Sequence, residues 1–497
     1  MSFSHPLFRI LIVIGIGAIL VFQFLNLTTS SIWHDEAFSA LLVDYEFSEM
    51  ISRISEDVHP PLYYIILNAW TDVTGTSVLM LRLFSLVFGL LTIGATYLLA
   101  REIFQKKMIA CLATIFLFFG SFQIQYNIEA RMYTLATFFL IFSSFLLLRA
   151  LKKKKMLWWV GYAVISAAAI YTHYYTAFGI IAQFLFVLYW IAKDEGLHLP
   201  SWLHNPATKA AFLSYLLVTI LFLPWFPTFL RQLNQVQENF WIPAMNIWSI
   251  PSTLFAMLSG AGATDPSKFG YILIATVIGV IVATFFVLKT YPGKEKWILP
   301  ILAFTPFFFS FLLSLKTSIY LDRYFILFLP PLFLILTAAI FTIRISIIRN
   351  ILVVLSIIGV AVSFPMFWNT FSGPDKPGMA KAASYINERA EQEDKIFVGS
   401  SFVYFTHRYY NETEIHPLLY VPNELFHFSG TALLDKEDII DDFTTAVEPG
   451  DVIWKIDTTG FGNFQPDVPE SWKLVLEQNF SDMFDYRGQI IVRKYEI

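Results

Sequence analysis

Two adjacent carboxylates, Asp35 and Glu36, follow closely on the first long apolar stretch of the chain, in Trp33-His34-Asp35-Glu36-Ala37. Carboxylates held at the edge of an apolar phase lie in a reduced dielectric, where they can act as general bases or as metal ligands. The same pattern also fits a simpler interpretation. Asp35 would then cap a helix that runs to about Ile54, and Glu36 would interact with the positive end of its dipole.

A histidine follows in Asp57-Val58-His59-Pro60-Pro61. The two prolines fix the backbone and are suited to the first turn of a helix. His59 is thereby held in one place, where its imidazole could bind phosphate or a metal. The alternative is that His59 is an ordinary loop residue in front of a proline.

Two arginines occur in short polar segments between apolar stretches, Glu129-Ala130-Arg131-Met132-Tyr133 and Tyr320-Leu321-Asp322-Arg323-Tyr324. The planar guanidinium donates two parallel hydrogen bonds to a phosphate. For Arg131 the alternative is a local ion pair with Glu129. For Arg323 it is a side chain that reaches from the apolar phase toward water.

The composition places these residues in a membrane protein. Of 497 residues, 56% are hydrophobic, 18% aromatic and only 14% charged, whereas a soluble domain carries roughly 25% charged residues. The aromatic content excludes a disordered chain. The single cysteine, Cys111, excludes an intramolecular disulfide and a cysteine metal cage. The chain is predicted to be a polytopic α-helical membrane protein.

Uncharged apolar stretches long enough to cross a bilayer predict about eleven transmembrane helices. They are residues 10–27, 83–100, 108–126, 132–148, 156–172, 175–192, 210–227, 269–288, 297–315, 324–343 and 350–368. The first lacks a cleavage site and is interpreted as a retained anchor. The apolar segment 60–71 is too short to span and is predicted to be interfacial or re-entrant, as is 37–55.

The distribution of charge predicts the orientation. Of the 23 basic residues before residue 369, 16 fall in alternate loops, which places the N-terminus in the cytoplasm. Residues 369–497 hold 22 acidic and 11 basic residues. We therefore expect a transmembrane domain over 1–370, with a large first outer loop at 28–82, and a soluble acidic extracytoplasmic domain over 371–497.

The C-terminal domain is predicted to be α/β. Apolar residues at helical spacing indicate a helix over 377–391, and short apolar runs indicate strands at 395–399, 451–456, 472–477 and 489–492.

All the polar segments singled out above fall on the predicted outer side. A carboxylate pair, a histidine and two arginines there suit a lipid phosphate in the outer leaflet and a nucleophile activated by Asp35. The sequence has no G-x-x-x-x-G-K-[ST] loop, no D-x-D, no H-E-x-x-H and no G-x-S-x-G. We therefore expect no nucleotide cofactor, and no basic face for nucleic acid.

The motifs taken together resemble a known family. Asp35-Glu36, His59-Pro60-Pro61-Leu62-Tyr63-Tyr64, Glu129-Ala130-Arg131-Met132-Tyr133, Tyr171-Thr172-His173-Tyr174-Tyr175 and Asp322-Arg323-Tyr324 occur in the order found in bacterial relatives of the family 39 glycosyltransferases. That family lies in the C-type membrane glycosyltransferase superfamily, with protein O-mannosyltransferases and lipid A aminoarabinose transferases. The resemblance covers about residues 8–370.

The resemblance implies inverting transfer of a sugar from a polyprenyl-phosphate donor to a hydroxyl of a lipid, glycan or protein. It implies that Asp35 is the catalytic base and that Glu36 supports it or shares a divalent cation with it, with His59 as a further candidate ligand. Arg131, Arg323 and His59 would bind the donor phosphate, although the aminoarabinose transferases carry a lysine where His59 stands. The remaining expected supporting residues are Asp57, Glu129, Tyr133, His173 and Tyr324.

Two other classes of function remain open. The chain could be a transporter or flippase for a lipid-linked sugar, although it shows no charged or glycine-broken pair of helices at the midplane, where transporters bind their substrates. It could also be a membrane scaffold that binds partners through its acidic domain.

Overall fold

Helices form at all eleven of the stretches predicted to cross the membrane. The computed structural model describes residues 6–196, 202, 205–238, 241–260, 266–371, 378–460, 464–482 and 488–497. In chain order its helices up to residue 371 are α1 (Pro6–Leu25), α2 (His34–Leu42), α3 (Phe47–Glu56), α4 (Leu62–Thr74), α5 (Val78–Phe104), α6 (Lys107–Phe119), α7 (Ser121–Asn127), α8 (Tyr133–Lys153), α9 (Met156–Thr172), α10 (Thr176–Glu195), α11 (Pro206–Phe222), α12 (Phe226–Glu238), α13 (Ser249–Ser259), α14 (Pro266–Thr290), α15 (Ile298–Ser314), α16 (Leu329–Ile340) and α17 (Ser346–Phe371).

Within the described residues, seven helical segments are long and apolar enough to cross a membrane. An eighth is counted when α6 and α7, which are bent by 63°, form one broken span. The other three predicted spans coincide with α1, α9 and α17, whose described apolar parts are shorter. The chain is a multi-pass α-helical membrane protein.

The first outer loop differs from the prediction in one respect. The helix expected from Asp35 to about Ile54 is two helices, α2 and α3, because the backbone turns between Leu42 and Phe47. The side chain of Asn68 donates to the carbonyl of Val43 at 3.0 Å, which satisfies an acceptor at the end of α2 and so stabilises the break. The predicted short helix at 60–71 is α4.

The C-terminal part is the predicted α/β domain. It contains the helices α18 (Met379–Asn387) and α19 (Ser401–Tyr410) and the strands β1 (Lys395–Val398), β2 (Leu418–Tyr420), β3 (Ile439–Ile440), β4 (Val452–Thr458), β5 (Lys473–Ser481) and β6 (Gln489–Glu496). The strand order is β3-β2-β1-β4-β6-β5. The first four strands in that order are parallel, whereas β6 and β5 are antiparallel to their neighbours.

The four predicted strands correspond to β1, β4, β5 and β6, and the predicted helix corresponds to α18. Pro377, where that helix was expected to begin, lies outside the described residues. The sequence did not indicate α19, β2 or β3. Of these, α19 begins with a cap in which Ser400 Oγ accepts from the backbone N–H of Phe402 at 3.3 Å.

The chain divides into two compact units. We call residues 1–58, 64–83 and 368–497 the loop–sheet unit, and residues 59–63 and 84–367 the helical unit. The first outer loop, predicted at 28–82, is grouped with the C-terminal domain except for residues 59–63, which belong to the helical unit.

The helical unit has an apolar core with a few buried hydrogen bonds. Its largest cluster of buried side chains includes Trp159, Phe186 and Leu299. Within it the amide of Gln183 on α10 donates to the hydroxyls of Ser143 and Ser144 on α8, at 2.8 and 2.9 Å. Such interhelical hydrogen bonds fix helix pairs in an apolar medium.

Candidate active site

A histidine and an arginine meet in the helical unit. Arg131 lies in the turn between α7 and α8, is 3% exposed, and its Nη2 is 3.3 Å from Nε2 of His59. The turn is tight because the backbone N–H of Arg131 donates to the carbonyl of Glu129 at 2.8 Å. The predicted phosphate-binding pair is therefore brought together, with Glu129 in the same turn.

Three aromatic side chains surround His173 in the same unit. The centroid of its ring is 4.9 Å from that of Tyr324, 5.9 Å from that of Tyr133 and 6.1 Å from that of Tyr175. Its Nδ1 accepts from the backbone N–H of Tyr175 at 3.1 Å. An acceptor Nδ1 places the proton of the neutral ring on Nε2.

The second arginine lies close to these rings. Arg323 is in the short 3-10 helix, Asp322–Phe328, that precedes α16, and its guanidinium carbon is 5.6 Å from the ring centre of Trp241. Burial lowers the pKa of His173 well below its ordinary value, and the neighbouring His59, Arg131 and Arg323 lower it further. His173 is therefore a neutral donor at physiological pH, in a region where two guanidinium groups converge.

A chain of hydrogen bonds positions His59. The indole N–H of Trp225 donates to the hydroxyl of Tyr174 at 2.9 Å, and that hydroxyl donates to the side-chain carbonyl of Gln232. The amide nitrogen of Gln232 then donates to the carbonyl of His59 at 3.3 Å. Gln232 is 1% exposed, so its polar atoms depend on these bonds.

A second series of hydrogen bonds holds Asp322, the residue before Arg323. The hydroxyl of Tyr320 donates to that of Thr253 at 2.7 Å, and Thr253 donates to Oδ1 of Asp322 at 2.5 Å. The helix α13 is thereby attached to the turn that carries Arg323 and Tyr324. Neither Thr253 nor Gln232 was identified from the sequence, since neither belongs to a motif.

The predicted carboxylates lie in the loop–sheet unit. Asp35 is in the first turn of α2 and is partly exposed. Its backbone carbonyl accepts from the hydroxyl of Ser39 at 2.9 Å. Asp57 ends α3 and is buried.

Glu36 forms a buried ion pair with Arg82. Its Oε1 accepts from Nε of Arg82 at 2.8 Å and its Oε2 from Nη2 at 2.6 Å, while Oε2 also accepts from the backbone N–H of Trp33 at 3.3 Å. Both oxygens are therefore engaged, and this arrangement gives Glu36 a structural task, while its catalytic or metal-binding role stays a prediction. The lone arginine near the start of an apolar helix is the signal that could have revealed the pair.

The same guanidinium binds the segment in front of α2. Nη1 of Arg82 donates to the carbonyls of Leu27 and Ser30, both at 2.9 Å, and Nη2 donates to the carbonyl of Ser31 at 3.0 Å. Arg82 thus ties the backbone that leads from α1 to Asp35.

The donor set gives little support for a metal centre. Within the described residues no group of three or more His, Cys, Asp or Glu side chains could hold a metal ion, and the predicted set of Asp35, Glu36 and His59 does not form one. Because Glu36 is paired with Arg82, the proposed mechanism uses no metal ion.

Part of the chain matches a known family. Residues 58–227 match the model of the dolichyl-phosphate-mannose-protein mannosyltransferases. No curated protein sequence matches the chain.

One protein, solved in two states, shares the fold over nearly the whole length. ArnT from Cupriavidus metallidurans, bound to undecaprenyl phosphate, is 14% identical and superposes with a TM-score of 0.64 over 97% of both chains. Its apo form gives the same values. An oligosaccharyltransferase from Archaeoglobus fulgidus is 13% identical, with a TM-score of 0.44 over 70% of this chain and 52% of that one.

The matched segment contains His59, Arg131 and His173, three of the residues that the geometry brings together. The fold likeness includes the C-terminal domain as well as the helices. The resemblance stated from the motifs is confirmed at this level: the chain shares its fold with ArnT, and its residues 58–227 match the dolichyl-phosphate-mannose-protein mannosyltransferase model.

Proposed function

We propose that the protein is an inverting glycosyltransferase that moves a sugar from a polyprenyl-phosphate donor to a hydroxyl acceptor at the outer face of the membrane. The observation that carries this proposal is the convergence of Arg131, His59, His173 and Arg323 in the helical unit. Guanidinium groups beside the neutral imidazole donor of His173 are suited to an anionic phosphate. The fold shared with a protein bound to undecaprenyl phosphate supports the same ligand class.

The phosphate-binding residues would act mainly on the leaving group. As the bond between the anomeric carbon and the phosphate oxygen breaks, negative charge grows on the polyprenyl phosphate. Arg131 and Arg323 would stabilise that charge electrostatically, and Nε2–H of His173 would add a hydrogen bond. Positive groups already in place need no reorganisation during the reaction, which is why they lower the barrier.

Asp35 would accept the proton of the attacking hydroxyl. The new bond forms between the acceptor oxygen and the anomeric carbon, and the phosphate leaves from the opposite side, so the configuration inverts. An aspartate is a weak base, and its proton transfer would come late in the displacement, when the hydroxyl has become acidic. A divalent cation remains a prediction that this scheme does not use.

Purified full-length protein and a panel of undecaprenyl-phosphate sugars test the proposal. Release of undecaprenyl phosphate is measured for the wild type, for Asp35→Asn and for Asp44→Asn, a matched change at an exposed carboxylate just after α2. We expect Asp35→Asn to lower turnover by about 100-fold or more, while undecaprenyl phosphate binding and the Asp44→Asn rate stay near the wild-type values.

Equal turnover by the wild type and Asp35→Asn would remove Asp35 from the mechanism. Movement of sugar-lipid across liposomes without turnover of any donor would contradict a transferase and favour a transporter. Reporter fusions at the two termini test the proposed orientation, with the N-terminus cytoplasmic and the C-terminal domain extracytoplasmic.

A further inference from the structure

The C-terminal domain is bonded directly to the segment that leads into α2. The backbone N–H of Ile32 donates to the hydroxyl of Tyr410, on α19, at 2.9 Å. Next to it, the backbone N–H of Ala380, on α18, donates to the hydroxyl of Ser31 at 2.9 Å. These bonds join parts of the chain that are 378 and 349 residues apart, and all of them lie within the loop–sheet unit.

Aromatic packing continues this contact along α2. The ring of His34 lies 5.1 Å from that of Phe402 and 5.5 Å from that of Phe405, centroid to centroid. One turn further on, Phe38 meets Phe405 edge to face at 6.4 Å. His34, Phe38 and Phe405 are all buried, so α2 and α19 share a continuous aromatic interface on both sides of Asp35 in sequence.

The ring of Phe405 is also packed closely against Gly430. Gly430 has φ +79°, and a Cβ at that position would come within 2.4 Å of the Phe405 ring. The chain therefore needs glycine there both for its backbone conformation and for the close approach of the ring. Phe405 is therefore fixed by its contact with Gly430, and its packing couples the position of α2 to that of the domain.

Asp35 thus lies at the start of α2, and two side chains bind the backbone of the segment that leads into this helix. Arg82 binds the carbonyls of the entering segment on one side, and Tyr410 binds its N–H group on the other. A displacement of about 1 Å in a reacting group can cost about 100-fold in rate. The residues that fix the entry of α2 therefore control the reach of the Asp35 carboxylate.

We infer that the C-terminal domain fixes the position of α2, and that Tyr410 is the positioning residue for the Asp35 carboxylate. This inference rests on the proposed function for its effect on rate, but its structural content is independent of any activity. The domain would then contribute to the transfer step without touching the donor.

The test compares Tyr410→Phe with Tyr409→Phe in the full-length protein. Both changes remove one hydroxyl from the end of α19, but Tyr409 donates to the carbonyl of Thr76 at 2.8 Å, ahead of α5. Amide hydrogen exchange of residues 31–42 is measured first. We expect exchange in that peptide to become at least about tenfold faster in Tyr410→Phe and to stay within about twofold of wild type in Tyr409→Phe.

The kinetic arm uses saturating donor. Tyr410→Phe should lower kcat by about tenfold or more and leave the Kd for undecaprenyl phosphate within about twofold, whereas Tyr409→Phe should change neither beyond about threefold. A purely structural role would instead lower the amount of folded protein and change both variants alike.

Unchanged exchange in Tyr410→Phe would overturn the inference, as would a kcat equal to that of Tyr409→Phe. If the wild type turned over no donor, the proposed function would be wrong, and the exchange measurement alone would decide whether Tyr410 positions α2.

Discussion

Replacing Glu36 by Gln leaves Arg82 as a charged group without its buried counterion. The side chains of Arg82 and Glu36 are 5% and 1% exposed, and their closest atoms are 2.6 Å apart. Removing one partner of a buried ion pair costs about 3–5 kcal/mol, because the remaining charge stays out of water. Arg53 and Glu49 in the same loop provide the comparison, since the Glu49 carboxylate is open to solvent and solvent-exposed pairs contribute about 0.2–1 kcal/mol.

The lost free energy of the ion pair should destabilise the segment whose carbonyls Arg82 binds. Local opening of residues 27–42 would become more favourable by the same 3–5 kcal/mol, which raises the open population by about 100- to 4,000-fold at roughly 1.4 kcal/mol per factor of ten. Amide hydrogen exchange of that peptide reports the open population. Glu49→Gln, with the same change of side chain at a carboxylate that is 46% exposed, should alter it by less than about fivefold.

A second variant separates charge burial from loss of shape. Arg82→Met combined with Glu36→Leu leaves no charge in the site, so part of the lost protection should return even though the carbonyls of residues 27–31 lose their donor. Exchange in Glu36→Gln within threefold of wild type would refute the argument, because it would mean that the pair does not hold the entry to α2.

Three further outcomes are expected. Arg131→Lys keeps the charge but loses the planar fork, so binding of undecaprenyl phosphate, measured by calorimetry, should weaken by about tenfold; unchanged binding would exclude Arg131 as a phosphate ligand. Gln232→Leu should weaken the same binding severalfold through His59, whereas Tyr171→Phe, which removes a hydroxyl bonded to the carbonyl of Leu221 at 2.9 Å, should not. Burial lowers the pKa of His407 from 6.5 to about 4, so the unfolded chain takes up this proton first as the pH falls. The free energy of unfolding then falls by about 3 kcal/mol between pH 6.5 and pH 4. In thermal unfolding, the stability of His407→Leu should fall less over this pH range than that of the wild type.

The helices were predictable because membrane insertion imposes a local rule. An apolar run of sufficient length has to satisfy its backbone internally, so it forms a helix wherever it occurs. The strands β1 and β4 were predictable for a related reason, since strands covered on both faces are continuous apolar runs. Helix α19 was not, because its sequence mixes Tyr, His and Arg with apolar residues, and its apolar face is defined by contacts with distant parts of the chain, α2 among them.

The break between α2 and α3 shows a limit of local patterns. Residues 35–54 have no proline or glycine to end a helix, and the turn depends on Asn68, which binds the carbonyl of Val43 from α4. Contacts between residues 25 positions apart leave no periodicity in the sequence. The pairing of Glu36 with Arg82 was hidden in the same way, although a buried charge always requires a partner.

The site residues divide along the same line. Motif spacing led to His59, Arg131, His173 and Arg323 because a cluster of cations and imidazoles in short loops is unusual in an apolar chain. The side chains that hold them, Gln232 and Thr253, belong to no motif in the sequence, and only the fold shows which groups they contact.

The two parts of the proposed chemistry are held by different parts of the chain. The phosphate-binding residues belong to the helical unit, whereas Asp35 belongs to the loop–sheet unit, where Arg82 and Tyr410 fix its helix. Changes around Arg131 should therefore act on donor affinity, and changes around α2 should act on the rate at saturating donor. The aromatic contacts of α2 come from α19, which lies outside the matched family segment, so changes in α19 should alter the rate while the residues proposed to bind the phosphate stay the same.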